Sequence, residues 1–230
     1  MPAPIKTEFS ADQNEEQARL LDIYYKAAKV FHEQGYEATS MSDIADALRM
    51  TKAGIYYYIK SKEDLLFGII NHGLDWLDKE VIEPARALTD AEERLRWIIR
   101  HHGQGLLKGS KVIPLLTEEV SSLTPKHRQH VMNRKRRYFE FVRDTLEDLK
   151  AQGKLRAVDT TVGAFGLFGM ILWLPRWYQP GGRMTAAKTM DHLLNLYLSG
   201  VMKPGATRSP SARKKHLVRK GSNSESFSQP

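Results

Sequence analysis

Residues 38–66 read ATSMSDIADALRMTKAGIYYYIKSKEDLL, and they carry the clearest structural signals in the sequence. It divides into short helices, because Ser40, Thr51 and Ser61 each offer a side-chain oxygen that can cap a helix N-terminus. Asp43 follows Ser40 by three residues, which is the spacing of a capping box. Two short helices joined by a tight turn predict a helix-turn-helix, whose second helix enters the major groove of DNA.

Three consecutive tyrosines, Tyr56 to Tyr58, lie in the second of these helices. Successive helical residues turn by about 100°, so the three phenol rings cannot all be buried. Ile55 and Ile59 are four residues apart and predict the inward face, which leaves the tyrosines to flank the outward face. There, hydroxyl groups can donate to phosphate oxygens and rings can contact thymine methyl groups. The alternative interpretation is that the tyrosines only frame a small helical core.

The rest of the sequence predicts an all-α protein of about nine helices, because no stretch alternates with period two for long. Leu20, Tyr24, Ala27 and Phe31 form one apolar face of a first helix that ends at Gly35. The later helices are expected from Ser61 toward Pro84, from Asp90 to Leu107, near Lys111 to Leu123, from Thr124 to Gly153, from Asp159 to Leu174, and from Thr185 to Met202, with a loop at Trp173–Gly182.

Composition limits the possible functions. The chain has 230 residues, a formal net charge of +8 and no cysteine, which excludes disulfides and thiol catalysis. Most of the excess charge lies from Lys203 onward, so the charge of the whole chain is a weak argument for nucleic-acid binding. No apolar run approaches the roughly 18 residues of a membrane span, and the polar, acidic N-terminus differs from a secretory signal. These features fit a cytoplasmic protein.

The stretch 18–66 resembles the DNA-binding segment of the TetR family of transcriptional regulators. The matching features are Gly35, Thr39-Ser40, Asp43-Ile44-Ala45, Met50-Thr51-Lys52, Gly54, Tyr56-Tyr57-Tyr58, Lys60, Lys62-Glu63 and Leu65. Arg49 departs from the pattern, since that turn position is usually glycine, and Ile59 stands where phenylalanine is usual. The resemblance implies that the DNA-contacting residues are Thr39, Ser40, Thr51, Lys52, Gly54, Tyr56, Tyr57, Tyr58 and Lys62.

The same resemblance implies four regions: a flexible N-terminus (1–17), the helix-turn-helix domain (18–66), a ligand-binding and dimerisation domain (67–202), and a disordered basic tail (203–230). In this family the last two helices usually pair across a two-fold axis. An apolar stripe on the final helix is therefore expected at the homodimer interface, and the alternative is that it faces its own core. The stripe is Met190, Leu193, Leu194, Tyr197 and Val201.

Leu172–Gly182 reads LWLPRWYQPGG and, with GKLR at 153–156, is similar to the regulatory domains of members that respond to acyl-CoA thioesters in fatty-acid or sterol breakdown. An acyl chain needs an apolar tunnel, and arginine and tryptophan suit the phosphates and adenine of coenzyme A. The expected ligand-binding residues are Trp97, Phe139, Phe165, Phe168, Trp173, Arg176 and Trp177. Other hydrophobic effectors remain as alternatives. The basic run at 133–137 can be interpreted as a further contribution to binding coenzyme A or as a solvated helix face, and the solvated face is favoured.

Gly163, Gly166 and Gly169 recur every three residues in an otherwise apolar helix. Each costs about 1 kcal/mol of helix stability relative to alanine, and their spacing would clear one side for a neighbouring helix or a ligand. Close packing within the protomer is the alternative.

Two other functional classes fit the sequence less well. An enzyme is not indicated, because the sequence has no nucleophile motif, phosphate-binding loop or metal cluster. The pairs His101-His102 and His127/His130 lack the partners of a metal site, so no metal or cofactor is expected. A helical acyl carrier would explain an apolar pocket but not Thr51, Lys52 and the tyrosines. The sequence therefore predicts a ligand-responsive, dimeric regulator, most simply a repressor. Its expected partners are operator DNA and a small hydrophobic effector, and no association with a membrane is expected.

Overall fold

The computed structural model describes residues 11–107 and 117–205, and within them the fold is all-α. The helices are α1 (Ala11–Gln34), α2 (Met41–Leu48), α3 (Lys52–Tyr58), α4 (Lys62–Leu77), a π-helical segment (Asp78–Ile82), α5 (Glu83–Arg86), α6 (Ala91–Leu107), a 3-10 turn (Val120–Ser122), α7 (Pro125–Ala151), α8 (Thr160–Leu172), α9 (Leu174–Trp177) and α10 (Ala186–Val201). The predicted fold class is confirmed. The loop expected at Trp173–Gly182 contains the single turn α9.

The three predicted capping residues all cap their helices. Ser40 accepts a hydrogen bond from the backbone N–H of Asp43, whose carboxylate accepts from the N–H of Ser40 at 2.7 Å. The Thr51 hydroxyl oxygen accepts from the N–H of Gly54 at 3.0 Å, and that of Ser61 accepts from the N–H of Asp64, also at 3.0 Å. These local bonds fix where α2, α3 and α4 begin.

Two residues in left-handed conformation reverse the chain in the first domain. Gly35 ends α1 with φ of +84°, as expected for a glycine cap. Arg49 ends α2 with φ of 53° and ψ of 41°, and the N–H of Met50 donates to the carbonyl oxygen of Ala45. The turn is therefore of the usual left-handed kind, although arginine raises its energy by about 1 kcal/mol relative to glycine.

The first domain packs α1 against α2 and α4 around fully buried side chains. The largest of these are Ile23, Phe31, Ile44, Ile55, Leu65 and Ile69. The predicted boundary between residues 66 and 67 falls inside α4, so both domains share this helix. From α4 the chain continues through the π-helical segment into α5, and residues 62–86 form one unbroken rod.

The second domain packs α6 against α7, α8 and α10. Its C-terminal end is held by the GKLR segment, because the guanidinium of Arg156 donates to the carbonyl oxygen of Met202 at 2.7 Å and Leu155 forms an isolated antiparallel bridge with Met202. The expected helix near Lys111–Leu123 lies partly outside the described residues, and so does most of the predicted basic tail. In the described residues, every helix is too short or too polar to cross a membrane.

Candidate DNA interface and ligand cavity

Four residues of α3 and its cap form an exposed surface, which we call the recognition face: Thr51, Lys52, Tyr56 and Tyr57. Tyr57 is 76% exposed and Tyr56 is 44% exposed. Ile55 and Ile59 are buried on the opposite side, as predicted. The helix thus presents hydroxyl groups and one ammonium group outward, and these are donors that suit phosphate oxygens and base edges.

Tyr58 supports this face rather than extending it. It is half-buried against the domain core, and its ring meets that of Tyr57 edge-to-face with centroids 5.0 Å apart. Gly54 is tightly enclosed, because a Cβ there would lie 3.1 Å from the Thr51 hydroxyl oxygen. The contributions of Tyr58 and Gly54 are therefore to position the exposed tyrosine and the cap of α3.

Two of the residues expected to contact DNA have structural partners instead. The Thr39 side chain is 1% exposed, and its hydroxyl donates to the carbonyl oxygen of Gly35 at 2.7 Å, so its predicted DNA contact is wrong for the side chain. The Lys62 ammonium donates to the carbonyl oxygens of Tyr36 and Glu37, at 3.0 and 3.3 Å. Ser40 stays exposed while it caps α2.

A cavity of about 840 Å³ lies in the second domain, between the rod that begins with α4 and helices α7, α8 and α9. Five of the seven predicted ligand-binding residues line it: Phe139, Phe165, Phe168, Trp173 and Arg176. Sequence reasoning missed several others, among them Leu74, Trp76, Leu77, His102, Met132, Lys135, Arg136, Tyr138 and Leu172. Such a volume falls within the range of small-molecule sites.

The other two predicted residues are not among those that line the cavity. Trp97 stacks on His101 with ring centroids 3.5 Å apart on α6. Trp177, at the end of α9, is 46% exposed, so its indole faces solvent. Their contact with a ligand therefore stays a prediction, and the cavity lining does not include them, because an aromatic residue type does not show toward which side of a helix its ring points.

Aromatic rings form one wall of the cavity. Phe139 lies 4.5 Å from Phe165 and 6.1 Å from Phe168, measured between ring centroids, and Phe168 meets Tyr138 edge-to-face at 5.2 Å. Gly169 also lines this wall, and open space surrounds the position where its Cβ would be. The wall thus suits an apolar ligand.

Two polar side chains interrupt this apolar lining. The Tyr138 hydroxyl and Nδ1 of His102 are 3.2 Å apart, and both side chains are buried. Burial lowers the pKa of His102 to about 4, so its imidazole is neutral at ordinary pH. Burial also raises the pKa of Tyr138, which keeps the phenol protonated.

Cationic side chains lie at the rim of the cavity. The Arg176 guanidinium lies over the Trp173 ring, 4.5 Å from its centroid, and forms an ion pair with Glu118. Lys135 and Arg136 come from the basic run of α7 and line the cavity, and burial lowers the pKa of Lys135. The interpretation of this run as only a solvated face is therefore wrong in part.

Helices α4 and α7 are joined by a set of polar and aromatic contacts that we call the clasp. At its upper end the Glu63 carboxylate contacts Nδ1 of His127 at 2.9 Å and accepts from the backbone N–H of Thr124 at 2.9 Å. The His127 ring also stacks on Phe67, with centroids 3.8 Å apart. These contacts tie the first turn of α4 to the first turn of α7.

The lower end of the clasp is centred on Arg134. Its guanidinium donates to the Asn71 side-chain oxygen at 2.7 Å and to Asp75 at 2.6 Å, and it also pairs with Asp78. His130 approaches Asn71 from the same face of α7, at 3.2 Å. The clasp therefore runs along α4 and into the π-helical segment, and α4 and α7 both also line the cavity.

Three ligand atoms in the described residues lie close enough to hold a metal ion, and they belong to Glu63, Asp64 and His127. Each already has a protein partner. Glu63 contacts His127, and the Asp64 carboxylate accepts from the Ser61 hydroxyl at 2.7 Å. We interpret the group as part of the clasp.

The predicted dimer stripe on α10 mostly faces its own protomer. Met190, Leu194, Tyr197 and Val201 are buried in the core of the second domain, and Leu193 is half-buried. The prediction is wrong for the four buried side chains, because α10 packs them against α6 and its other neighbours. The alternative considered from the sequence, that the stripe faces its own core, is the one observed.

A different apolar surface is exposed, which we call the outer face. Val162 and Gly166 lie along one side of α8, followed by Gly169 and, just past the end of the helix, Trp173, both of which also line the cavity. Helix α10 adds Leu196, which is 66% exposed. Open space surrounds the Cβ positions of Gly166, Gly169 and Gly200. Among the three glycines of α8, Gly163 is the one that uses its small size within the protomer, where its Cβ would lie 3.1 Å from the Leu146 side chain.

Comparisons with known proteins agree with this architecture. Residues 23–69 match the tetR family of bacterial regulatory proteins. Residues 88–201 match the tetracyclin repressor-like C-terminal domain. AibR, solved in complex with isovaleryl coenzyme A and operator DNA, is 38% identical with a TM-score of 0.73. The match covers 77% of this chain and 97% of AibR.

Two further relatives extend the comparison. The TetR family transcriptional regulator PfmR from Thermus thermophilus is 32% identical, with a TM-score of 0.71, over 77% of this chain and 97% of PfmR. The transcriptional repressor KstR2 of Rhodococcus jostii is 27% identical over 80% of this chain and 90% of KstR2. Both domains are thus matched at their expected places, and the chain belongs to the TetR family of transcriptional regulators, DNA-binding proteins that act as dimers and are not enzymes.

Proposed function

We propose that the protein is a transcriptional repressor that binds a palindromic operator as a homodimer and is released by an acyl-CoA thioester. The observation that carries the proposal is the cavity itself. It combines an apolar aromatic wall with a cationic rim, and its walls include α4 and α7, the two helices of the clasp. The complex of AibR with isovaleryl coenzyme A and operator DNA supports both partners.

The lining suits the two parts of a thioester. Phe139, Phe165 and Phe168 offer apolar surface to an acyl chain, while Lys135 and Arg136 offer positive charge to phosphate groups. Arg176 is half-exposed and paired with Glu118, and such surface pairs are worth only about 0–1 kcal/mol. A phosphate can therefore replace Glu118 as the partner of Arg176 at small cost.

Ligand binding reaches the DNA-binding domain through α4. Leu74 and Leu77 line the cavity, while Glu63 and Phe67, on the same helix, contact α7 within the clasp. A ligand that fits only one tilt of α4 changes the separation of the two recognition helices, which must be about 34 Å to enter successive major grooves. A coupling of about 1–3 kcal/mol would change operator affinity roughly 5- to 150-fold.

The dimer is proposed to form through the outer face. Exposed apolar side chains of α8 and α10 surround glycines that leave room for a partner helix, and two copies can pair as a four-helix arrangement. Val162 and Leu196 provide apolar area outside the cavity lining. Because operator DNA lies in the bacterial cytoplasm, we place the protein there. A different small hydrophobic effector is the alternative for the cavity.

The test is a gel-shift titration of the full chain on the DNA that flanks its own gene, with and without a panel of acyl-CoA thioesters. We expect binding in the nanomolar to micromolar range and release by at least one thioester. Binding that no thioester changes would remove the acyl-CoA proposal but keep the regulator. Absence of binding at low salt, where phosphate contacts are strongest, would contradict the repressor itself.

A further inference from the structure

The pair formed by His102 and Tyr138 is a buried polar feature of the cavity that the acyl-CoA proposal does not use. The two side chains are 6% and 5% exposed, and both line the cavity. Phe168 packs edge-to-face against both rings, at 6.4 Å from His102 and 5.2 Å from Tyr138. The pair thus lies next to Phe168 in the cavity wall and borders the space that a ligand would fill.

The pair has hydrogen-bonding capacity to spare. If the Tyr138 hydroxyl donates to Nδ1 of His102, the neutral imidazole carries its proton on Nε2, and that N–H remains as a donor. If Nδ1–H donates instead, the phenol O–H remains as a donor. Within residues 11–107 and 117–205, the hydrogen bond of these two side chains is the one between them, at 3.2 Å. In either tautomer one donor is therefore left without an acceptor among the described residues.

A donor left without a partner in an apolar site is unfavourable, so the remaining N–H or O–H favours a ligand that brings an acceptor. Resting on the proposed function, we infer that His102 and Tyr138 form a specificity site for an oxygen atom in the acyl part of the effector. The oxygen is an uncharged acceptor, either the thioester carbonyl or a keto or hydroxyl oxygen further along the acyl group. A carboxylate is disfavoured, because the neutral pair offers no charge to balance it.

The test uses ligand couples that differ by one oxygen, and it measures dissociation constants by titration calorimetry on the full-length protein. Hexanoyl-CoA and S-hexyl-CoA differ by the thioester carbonyl, and 3-oxohexanoyl-CoA adds a keto oxygen to hexanoyl-CoA. We expect about a tenfold preference for the oxygen-bearing member of one couple, and which couple shows it identifies the oxygen.

Tyr138→Phe removes the hydroxyl group with almost no change of volume, and His102→Phe removes both ring nitrogens. We expect the variant that loses the remaining donor to abolish that preference while the oxygen-free member binds as before. Tyr197→Phe is the matched control, since Tyr197 is also a buried tyrosine but donates to the Gly163 carbonyl oxygen at 2.9 Å, away from the cavity lining. It should keep the preference.

Equal affinities within both couples, or a preference that is unchanged in both Tyr138→Phe and His102→Phe, would overturn this inference and leave the proposed function intact if DNA is still released. If none of the compounds binds or releases DNA, the acyl-CoA proposal fails, and this inference fails with it.

Discussion

Phe67 and His127 stack their rings within 5° of parallel across the interface between α4 and α7. Phe67 belongs to the helix that enters the DNA-binding domain, and His127 belongs to the helix that carries Lys135, Arg136 and Tyr138 to the cavity. This stack and the polar contacts beside it form a direct physical connection between the two sites. The connection and the elements that it joins can each be tested separately.

Removing the most exposed tyrosine of α3 should weaken operator binding without unfolding the domain. Tyr57→Ala is expected to lose roughly tenfold or more in DNA affinity, measured by fluorescence anisotropy, because the ring and hydroxyl can contact DNA while solvent surrounds them in the free protein. Tyr25→Ala, which removes another exposed tyrosine from α1, should bind DNA as the wild type does. Equal affinities for Tyr57→Ala and wild type would argue against the recognition face.

Breaking the lower end of the clasp should uncouple the two sites. In Arg134→Met the contacts with Asn71, Asp75 and Asp78 are lost, so the effector should still bind while its effect on DNA affinity shrinks severalfold. Arg143→Met is the control on the same helix, because the ion pair that Arg143 forms within residues 11–107 and 117–205 is with its exposed neighbour Asp144. Effector titrations at fixed DNA concentration measure the coupling, and an undiminished response in Arg134→Met would exclude the clasp as its route.

The buried side chain of His102 should make the free energy of unfolding decrease at acidic pH. Burial lowers the pKa of His102 from 6.5 to about 4, so its neutral form stabilises the fold fully above pH 6.5, and this contribution is lost as pH falls toward 4. The loss amounts to about 3 kcal/mol over that window. Urea unfolding at pH 7 and pH 4 should show a smaller loss in His102→Gln than in the wild type. His101→Gln, at the adjacent position, should keep the loss seen in the wild type.

A charge on the outer face should prevent dimerisation. Leu196→Glu places a carboxylate in the proposed helix interface, where desolvation of the charge is costly, and should shift the protein toward monomers in sedimentation velocity. Leu21→Glu changes an exposed leucine of α1 in the same way and should remain dimeric. A fully dimeric Leu196→Glu would place the interface elsewhere.

Relieving the left-handed arginine should stabilise the DNA-binding domain. Arg49→Gly removes the steric cost of a side chain at φ of 53° and is expected to raise the free energy of unfolding by roughly 0.5–1 kcal/mol, as measured by urea denaturation. Arg49→Ala keeps a Cβ and should have little effect. A destabilised glycine variant would mean that the arginine side chain contributes more than the backbone strain costs.

Local signals in the sequence predicted the helix boundaries of the DNA-binding domain well. The caps at Ser40, Thr51 and Ser61 depend on residues three positions apart, so the necessary information lies within each short stretch. Helical periodicity likewise placed Ile55 and Ile59 inside.

Tertiary placement was harder to predict. The apolar stripe of α10 was assigned to a partner because periodicity shows that a face is apolar but not which helix covers it. Trp97 was assigned to the cavity for its residue type, although its ring stacks on His101 outside the cavity lining. The contribution of Lys135 and Arg136 to the cavity depends on the rotation of α7 and could not be read from charge alone.

The unbroken rod of residues 62–86 has a consequence for the operator. Its first turns pack in the DNA-binding domain and its middle forms a wall of the cavity, so one continuous helical segment lies at both sites. Thermodynamic linkage is reciprocal. If the effector changes the affinity for DNA by some factor, then DNA changes the affinity for the effector by the same factor. The operator is thus itself an allosteric ligand of the cavity, and copies bound to DNA should require a higher effector concentration than free copies do.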